Sequence, residues 1–178
     1  DFNDGETDGW EINGEGALCE VIDDPANPNN KIWYVQSPDH QIYTHLGDAN
    51  WSNYIFECKV KLIGWNVNEE SKPWDNLGIG FYANPKGRNH NRYTMRINRE
   101  TGKFQIYKRQ DGDFVLAEKN APEGFNAYDW NTYRVEIIDG YVTTYINGVQ
   151  MFKLAMDAAS GGIGFDGINV KFYVDDIS

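Results

Sequence analysis

The sequence predicts an all-β fold, a two-sheet antiparallel β-sandwich of the jelly-roll type. Three observations support this prediction. Turn residues recur at short intervals, apolar and polar residues alternate between them, and no longer stretch keeps a helical period. A single sheet of about a dozen strands would leave an apolar face in water, so two packed sheets are required.

Turn pairs of the Asn-Gly and Asp-Gly kind divide the chain, because they adopt positive φ at little cost. The alternation is clearest from Tyr93 to Ile97, where tyrosine, methionine and isoleucine alternate with threonine and arginine. A short helix is predicted only weakly by the pattern, at residues 154–159. Strands are predicted at residues 17–22, 32–36, 42–46, 54–63, 77–82, 93–98, 103–109, 114–118, 132–138, 141–146, 149–154, 162–165 and 170–174.

The chain length and charge restrict the class of protein. Its 178 residues suit a single domain, 1–178, and no linker or repeat divides them. The net charge of −11 repels nucleic-acid phosphates and anionic membrane surfaces, so neither is expected as a partner. Because the sequence opens on Asp1 without a methionine or a signal segment, we interpret it as an excised or mature domain, and we expect it to be a monomer.

The two cysteines, Cys19 and Cys58, are too few for a disulfide framework. Each alternates with apolar residues, in a setting where a core thiol is ordinary. We interpret them as two buried free thiols, and a single disulfide between them is the alternative.

No catalytic set is recognised in the sequence. Retaining glycosidases place two carboxylates about 5 Å apart, whereas the nearest pairs here, which begin at Glu20 and Glu136, are spaced so that they point to opposite faces of a strand. No Gly-x-Ser-x-Gly elbow and no zinc-type histidine spacing is present. A non-enzyme is therefore predicted, and the alternative is a sandwich hydrolase or lyase that uses Glu57, Glu136 or His90.

The aromatic residues suggest a sugar-binding surface. Flat rings stack on the apolar faces of sugar rings, and amide, carboxylate and guanidinium groups bond the hydroxyls. Most of the aromatic residues are expected in the core, but Trp65 and Trp74 lie in the polar loop 64–76, where an indole has little core to join. Trp74 and the adjacent Asp75 are therefore predicted to contact a ligand.

The strands at 93–98 and 103–109 carry a second candidate surface. If Asn98 faces Lys103 across the turn, one face of the sheet becomes a row of polar side chains. This row is either a solvated outer face or a binding face, and an arginine opposite an arginine indicates nearby acidic groups or a ligand with hydroxyls. The predicted pairs are Arg96 with Gln105, Thr94 with Tyr107 and Arg92 with Arg109, of which Arg92, Arg96 and Tyr107 are the predicted ligand contacts.

Carboxylates cluster at both ends of the chain. Sandwich folds often bring the two ends together as neighbouring strands, and crowded carboxylates repel unless a cation neutralises them. Residues 1–6 and 174–177 therefore predict a structural Ca²⁺, with solvated terminal acids as the alternative.

Several segments together resemble the sandwiches of the concanavalin A-like lectin and glucanase superfamily. Within it the chain looks most like laminin G-like domains and carbohydrate-binding modules of the family 66 type. The segments run from end to end in order: DFNDG at 1–5 with GW at 9–10, YTMRIN at 93–98, KFQIYK at 103–108 with DG at 111–112, WNTYRVEI at 130–137 with YING at 145–148, and GIGF at 162–165 with FYVDDI at 172–177.

This resemblance implies a non-catalytic carbohydrate-binding module, secreted and covalently linked to a polysaccharide-degrading enzyme that it targets to a fructan or plant cell-wall glycan. It also implies that the calcium ligands come from Asn3, Asp4, Asp175 and Asp176. A laminin G-like protein-interaction domain is the further alternative, and an apolar patch in place of the polar row would distinguish it.

Overall fold

A computed structural model describes residues 2–7, 9–66, 71–83, 92–109, 112–156 and 160–178, except for the side chains of residues 38–40. Within these ranges the chain forms strands and turns and no helix. The strands are β1 (Glu11–Asn13), β2 (Leu18–Asp24), β3 (Asn27–His45), β4 (Tyr54–Trp65), β5 (Asn76–Ala83), β6 (Arg92–Asn98), β7 (Phe104–Arg109), β8 (Asp113–Lys119), β9 (Asn131–Ile138), β10 (Tyr141–Ile146), β11 (Val149–Ala155) and β12 (Gly162–Asp175).

Strands β3 and β12 belong to two sheets. The first half of β12, up to Ile168, pairs with β5 and with the second half of β3, whereas the part from Val170 onward pairs with β4 and with the first half of β3. The first sheet therefore has the order β1-β3-β12-β5-β6-β7-β8, and the second has the order β2-β3-β12-β4-β9-β10-β11. All of these pairings are antiparallel.

The core lies between the two sheets and is rich in aromatic rings. The ring of Phe104 in β7 lies 6.1 Å from that of Tyr133 in β9, so the sheets pack face to face. Phe165 in β12 is at the centre of the largest aromatic group. Its ring centroid lies 5.4 to 6.2 Å from those of Trp10, Trp33, Phe56 and Phe172.

The predicted all-β sandwich is confirmed, with three changes in the strands. The short strand β1 was not among the predicted strands. Residues 32–36 and 42–45 belong to one long strand, β3, whereas Leu46 forms an isolated bridge with Ile163. Residues 162–165 and 170–174 belong to one long strand, β12. The predicted helix at residues 154–159 is wrong at its start, because Leu154 and Ala155 continue β11. Residues 157–159 lie outside the described part of the chain.

Cys19 and Cys58 are both free thiols, as interpreted from the sequence, with Cys58 buried and Cys19 half-buried. Burial raises the pKa of the Cys19 thiol to about 12, so this thiol is protonated and unreactive near neutral pH. Nothing helical in the described ranges has the length and apolarity needed to cross a bilayer.

Candidate functional site

The polar row predicted on β6 and β7 is present in the structure. Arg92 lies opposite Arg109, Thr94 opposite Tyr107 and Arg96 opposite Gln105, as predicted. We call the side of the first sheet that carries these side chains the polar face; the other side, with Met95 and Ile106, faces the core. Every residue of β5 and β6 is buried, so these strands are covered on both sides rather than solvated on one.

A buried ion pair lies at the centre of the polar face. Arg92 donates hydrogen bonds from Nε and Nη2 to Oδ2 of Asp166 in β12, at 3.2 and 2.9 Å. Both side chains are only 1% exposed. Gln41 donates from Nε2 to the other carboxylate oxygen at 2.7 Å and accepts a bond from Arg109 Nη1 at 2.9 Å. Hydrogen bonds therefore connect Arg92 in β6, through Asp166 in β12 and Gln41 in β3, to Arg109 in β7.

Glycines in β5 make this arrangement possible. Gly78 lies between Arg96 in β6 and Asp166 in β12, and Gly80 is the next residue on the same side. A Cβ atom at Gly78 would lie 2.6 Å from Thr94 Cγ2 and 2.7 Å from Arg96 Cβ, which is closer than atoms pack. Because Gly78 and Gly80 have no side chains on this face of β5, the Arg92 side chain can cross the strand to reach Asp166.

A second branch of the network runs outward from Arg96. Its Nε donates to Gln105 Oε1 at 3.0 Å, and Gln105 donates from Nε2 to Glu118 in β8 at 2.9 Å. The Arg96 guanidinium lies 3.9 Å from the centre of the Tyr107 ring, in a cation–π contact. Burial lowers the pKa of Arg96, although the group stays charged at neutral pH.

The Trp74 loop is held by Asp75, whose carboxylate is completely buried. Asp75 accepts hydrogen bonds from Arg99 Nη1 at 3.0 Å, Asn169 Nδ2 at 2.8 Å and the backbone N–H of Lys72 at 3.2 Å. Trp74 itself is 55% exposed. The two neighbours thus differ: Asp75 positions the loop through contacts within the protein, and Trp74 is available to a ligand.

Two asparagines connect this loop to the polar face. Asn98 Nδ2 donates to the carbonyl of Pro73 at 2.7 Å, and Asn76 Nδ2 donates to the carbonyl of Trp74 at 2.7 Å. Asn98 lies two residues after Arg96 on the same side of β6, a distance of about 7 Å along a strand. The structure therefore places Trp74 at one end of the row that contains Arg92, Arg96 and Tyr107.

The two chain ends meet at the start of β3. Asn3 Oδ1 accepts a hydrogen bond from the backbone N–H of Lys31 at 3.0 Å, and Asp175 Oδ2 accepts one from Asn30 Nδ2 at 2.9 Å. Because Asn30 and Lys31 are consecutive, two of the four predicted calcium ligands come to the same place.

The other two predicted calcium ligands have different partners. Asp176 forms an ion pair with Lys59 Nζ at 2.6 Å, and Asp4 Oδ1 accepts a hydrogen bond from the N–H of Glu6 at 3.0 Å. In the described part of the chain, no group of three or more His, Cys, Asp or Glu side chains is arranged to hold a metal ion. Calcium binding at the termini stays a prediction of the sequence.

The residues named for the alternative catalytic function lie away from the polar face. Glu57 in β4 and Glu136 in β9 both accept hydrogen bonds from Arg134, at 3.2 and 2.9 Å, on the partly exposed side of the second sheet. His90 lies outside the described residues.

Sequence reasoning did not identify Asp166 as a site residue, although it is the anion that holds the centre of the polar face. One feature of the sequence indicates it: Asp166 is the one charged residue in the otherwise apolar and glycine-rich run from 162 to 168. A charged residue in a strand that is buried on both faces needs a partner of opposite charge.

The fold is that of a class of β-sandwich shared by carbohydrate-binding proteins and glycoside hydrolases. The family 66 carbohydrate-binding module from Bacillus subtilis superposes with a TM-score of 0.68 at 12% identity, over 95% of this chain and 93% of that one. A family 16 glycoside hydrolase of the Bacteroides ovatus mixed-linkage glucan locus, solved with the product G4G4G3G, has a TM-score of 0.66 at 9% identity, over 100% and 98% of the two chains. A Bacillus subtilis protein of unknown function with a galectin-like fold has a TM-score of 0.64 at 13% identity, over 94% and 87%.

A family model also matches most of the chain. The model of the 3-keto-alpha-glucoside-1,2-lyase-like domain matches residues 1–170, and the chain belongs to this family. No curated protein matches the chain. The predicted resemblance to a concanavalin A-like sandwich of the family 66 type is confirmed for the fold, whereas the lyase-like family was not predicted from the sequence.

Proposed function

We propose that the protein binds an oligosaccharide on the polar face of its first sheet. The observation that carries the proposal is the continuous network of buried polar side chains on β6, β7 and β12, next to Tyr107 and the exposed Trp74. Networks of fixed donors beside aromatic rings suit ligands that carry both hydroxyls and apolar ring faces. The similarity to a carbohydrate-binding module supports the same assignment.

In this proposal the domain is non-catalytic, monomeric and extracellular. It directs a covalently linked polysaccharide-degrading enzyme to its glycan, a fructan or a plant cell-wall polysaccharide. The buried carboxylate of Asp75 supports the binding role of Trp74, because a loop held by three hydrogen bonds loses little conformational freedom when a ligand binds.

Removing either aromatic ring should weaken binding. We expect Trp74→Ala and Tyr107→Ala each to reduce affinity about three- to tenfold, since each deletes one stacking surface. Titration calorimetry against fructans, pectins, xylans and glucans measures the change. Tyr141→Ala is the control, because Tyr141 is an aromatic residue about as exposed as Trp74 but lies on β10 in the second sheet. Equal losses in all three variants, or a wild-type protein that binds no glycan, would contradict the proposal.

A lyase acting on a keto-glucoside is the second candidate, and the family match favours it. Elimination next to a ketone needs a base and a cation to stabilise the enolate. The polar face has two guanidiniums, Arg92 and Arg96, that could stabilise the enolate, and one carboxylate, Asp166, that would have to leave Arg92 and Gln41 to act as the base. Incubation with a 3-keto-α-glucoside distinguishes the two functions: release of the aglycone identifies a lyase, and binding without release leaves a binding module.

A calcium ion at the joined termini is the remaining part of the proposal. A chelator such as EGTA is expected to lower the melting temperature by several degrees, because an ion that binds only the folded state stabilises it by mass action. Addition of excess Ca²⁺ should restore the original value. A melting curve that does not change in EGTA would show that the hydrogen bonds of Asn3 and Asp175 hold the chain ends without a metal.

A further inference from the structure

Arg96 lacks the countercharge that its burial demands. The residue is 6% exposed, and its hydrogen bond to Gln105 occupies Nε alone. In the described part of the chain, the Arg96 guanidinium forms no ion pair, because no carboxylate oxygen lies within 4.0 Å of its nitrogens. Nη1 and Nη2 make no hydrogen bond there, and neither atom is closed off from solvent.

The neighbouring charges do not supply the missing anion. Asp166 gives both of its oxygens to other partners, since Oδ1 accepts from Gln41 and Oδ2 accepts from Arg92. The carboxylate of Glu118 accepts from Lys103 at 2.8 Å and from Gln105. Asp113, the other acidic neighbour of Arg96, forms an ion pair with Arg109 at 3.7 Å. Arg92 and Arg109 are thus each paired with a carboxylate, and Arg96 is left as an unpaired positive charge in a chain whose net charge is −11.

The free part of Arg96 has the geometry of an anion-binding fork. With Nε engaged and the ring of Tyr107 against the guanidinium plane, the group is fixed in orientation and presents Nη1 and Nη2 together. A planar carboxylate accepts two parallel hydrogen bonds from such a fork. A hydroxyl has one uncharged oxygen, so it neither matches the two parallel N–H groups of the fork nor neutralises the guanidinium.

We infer that Arg96 binds a carboxylate carried by the sugar, so that the ligand of the polar face is an oligosaccharide containing a uronic acid. This inference rests on the proposed function, because it names the substrate class of the same face. Arg96 is then the residue that determines specificity. Arg92 and Asp166 form a neutral ion pair beside it.

The test compares each acid with its own uncharged ester. Oligosaccharides of glucuronic, galacturonic and mannuronic acid, and their methyl esters, are titrated into the wild-type protein. We expect at least one acid to bind about tenfold or more tightly than its ester, with an affinity that falls as salt is added. If every ester binds as tightly as its acid, or if no uronate binds, the inference is wrong.

Variants connect the preference to one residue. Arg96→Gln should reduce the ratio of acid to ester affinity to about one, and Arg96→Lys should keep only part of the wild-type ratio because a lysine has no fork. Arg134→Gln, on the second sheet, is the matched control and should keep the wild-type ratio. An unchanged ratio in Arg96→Gln overturns the inference. The wild-type comparison of acid with ester decides the question even if Arg96→Gln does not fold.

Two further outcomes distinguish the proposed function, sugar binding, from the inference that the sugar carries a carboxylate. Tight binding of a neutral glycan that is lost in Tyr107→Ala, with no preference for acids, supports the proposed function and overturns the inference. A sulfated oligosaccharide that binds more tightly than every uronate contradicts the assignment of the anion as a carboxylate.

Discussion

Replacing Asp166 by asparagine is expected to lower the free energy of unfolding by about 3–5 kcal/mol. The side chain keeps its shape but loses its charge, and Arg92 is left as an unpaired cation that is 1% exposed. Removing one member of a buried ion pair is costly because the other stays desolvated without compensation. Urea denaturation, followed by fluorescence, measures the change.

Two controls test whether the loss comes from burial of the unpaired charge. Asp23→Asn removes the carboxylate of an ion pair with Lys31 in which the two side chains are 65% and 39% exposed, and it should change stability much less. Adding Arg92→Gln to Asp166→Asn should recover part of the lost stability, because no buried charge then remains. Similar losses in Asp23→Asn and Asp166→Asn would contradict this account of the polar face.

Truncation of Phe165 to alanine should also be strongly destabilising, by about 3–5 kcal/mol. Its ring is completely buried and, from the part of β12 in the first sheet, it contacts the rings of Trp33 and Phe56 in the second sheet, so the change leaves a cavity between the sheets. Thermal and urea denaturation both report the loss.

Phe165→Leu and Phe114→Ala make that prediction specific. Leucine fills most of the space and should cost much less than alanine. Phe114 in β8 is 51% exposed, so its truncation should have little effect. If Phe165→Ala melts at the wild-type temperature, the aromatic group around β12 does not stabilise the sandwich as described.

Local patterns were sufficient to predict most of the strands and one complete register. The pairing of Arg96 with Gln105 follows from the turn at 99–102 and the alternation on either side of it, and the structure has the same pairing. The continuity of β12 could not be predicted in this way. Asn169 is a turn-forming residue type and has a φ of 55°, but its side chain is held by Asp75, so the chain bends and the strand continues.

The candidate site was predicted only in part, for a similar reason. The arginines and Tyr107 were identified because they lie on one hairpin, whereas Asp166 is 74 positions from Arg92 and meets it only after β12 is placed beside β5. Burial of the polar face also depends on tertiary structure. A row of arginine, threonine and glutamine on one side of a strand has the composition of a solvated surface, and only the folded chain shows that it is covered.

The sharing of β3 and β12 between the sheets has a consequence for how the protein opens. In a sandwich of two separate sheets, the sheet that carries a binding face can loosen while the other stays intact. Here the strand that supplies Asp166 continues into the second sheet and pairs there with β4. Displacing the part of β12 that carries Asp166 would also disturb the pairings of the same strand with β4, so we expect the Arg92–Asp166 pair to stay in place until the whole domain unfolds.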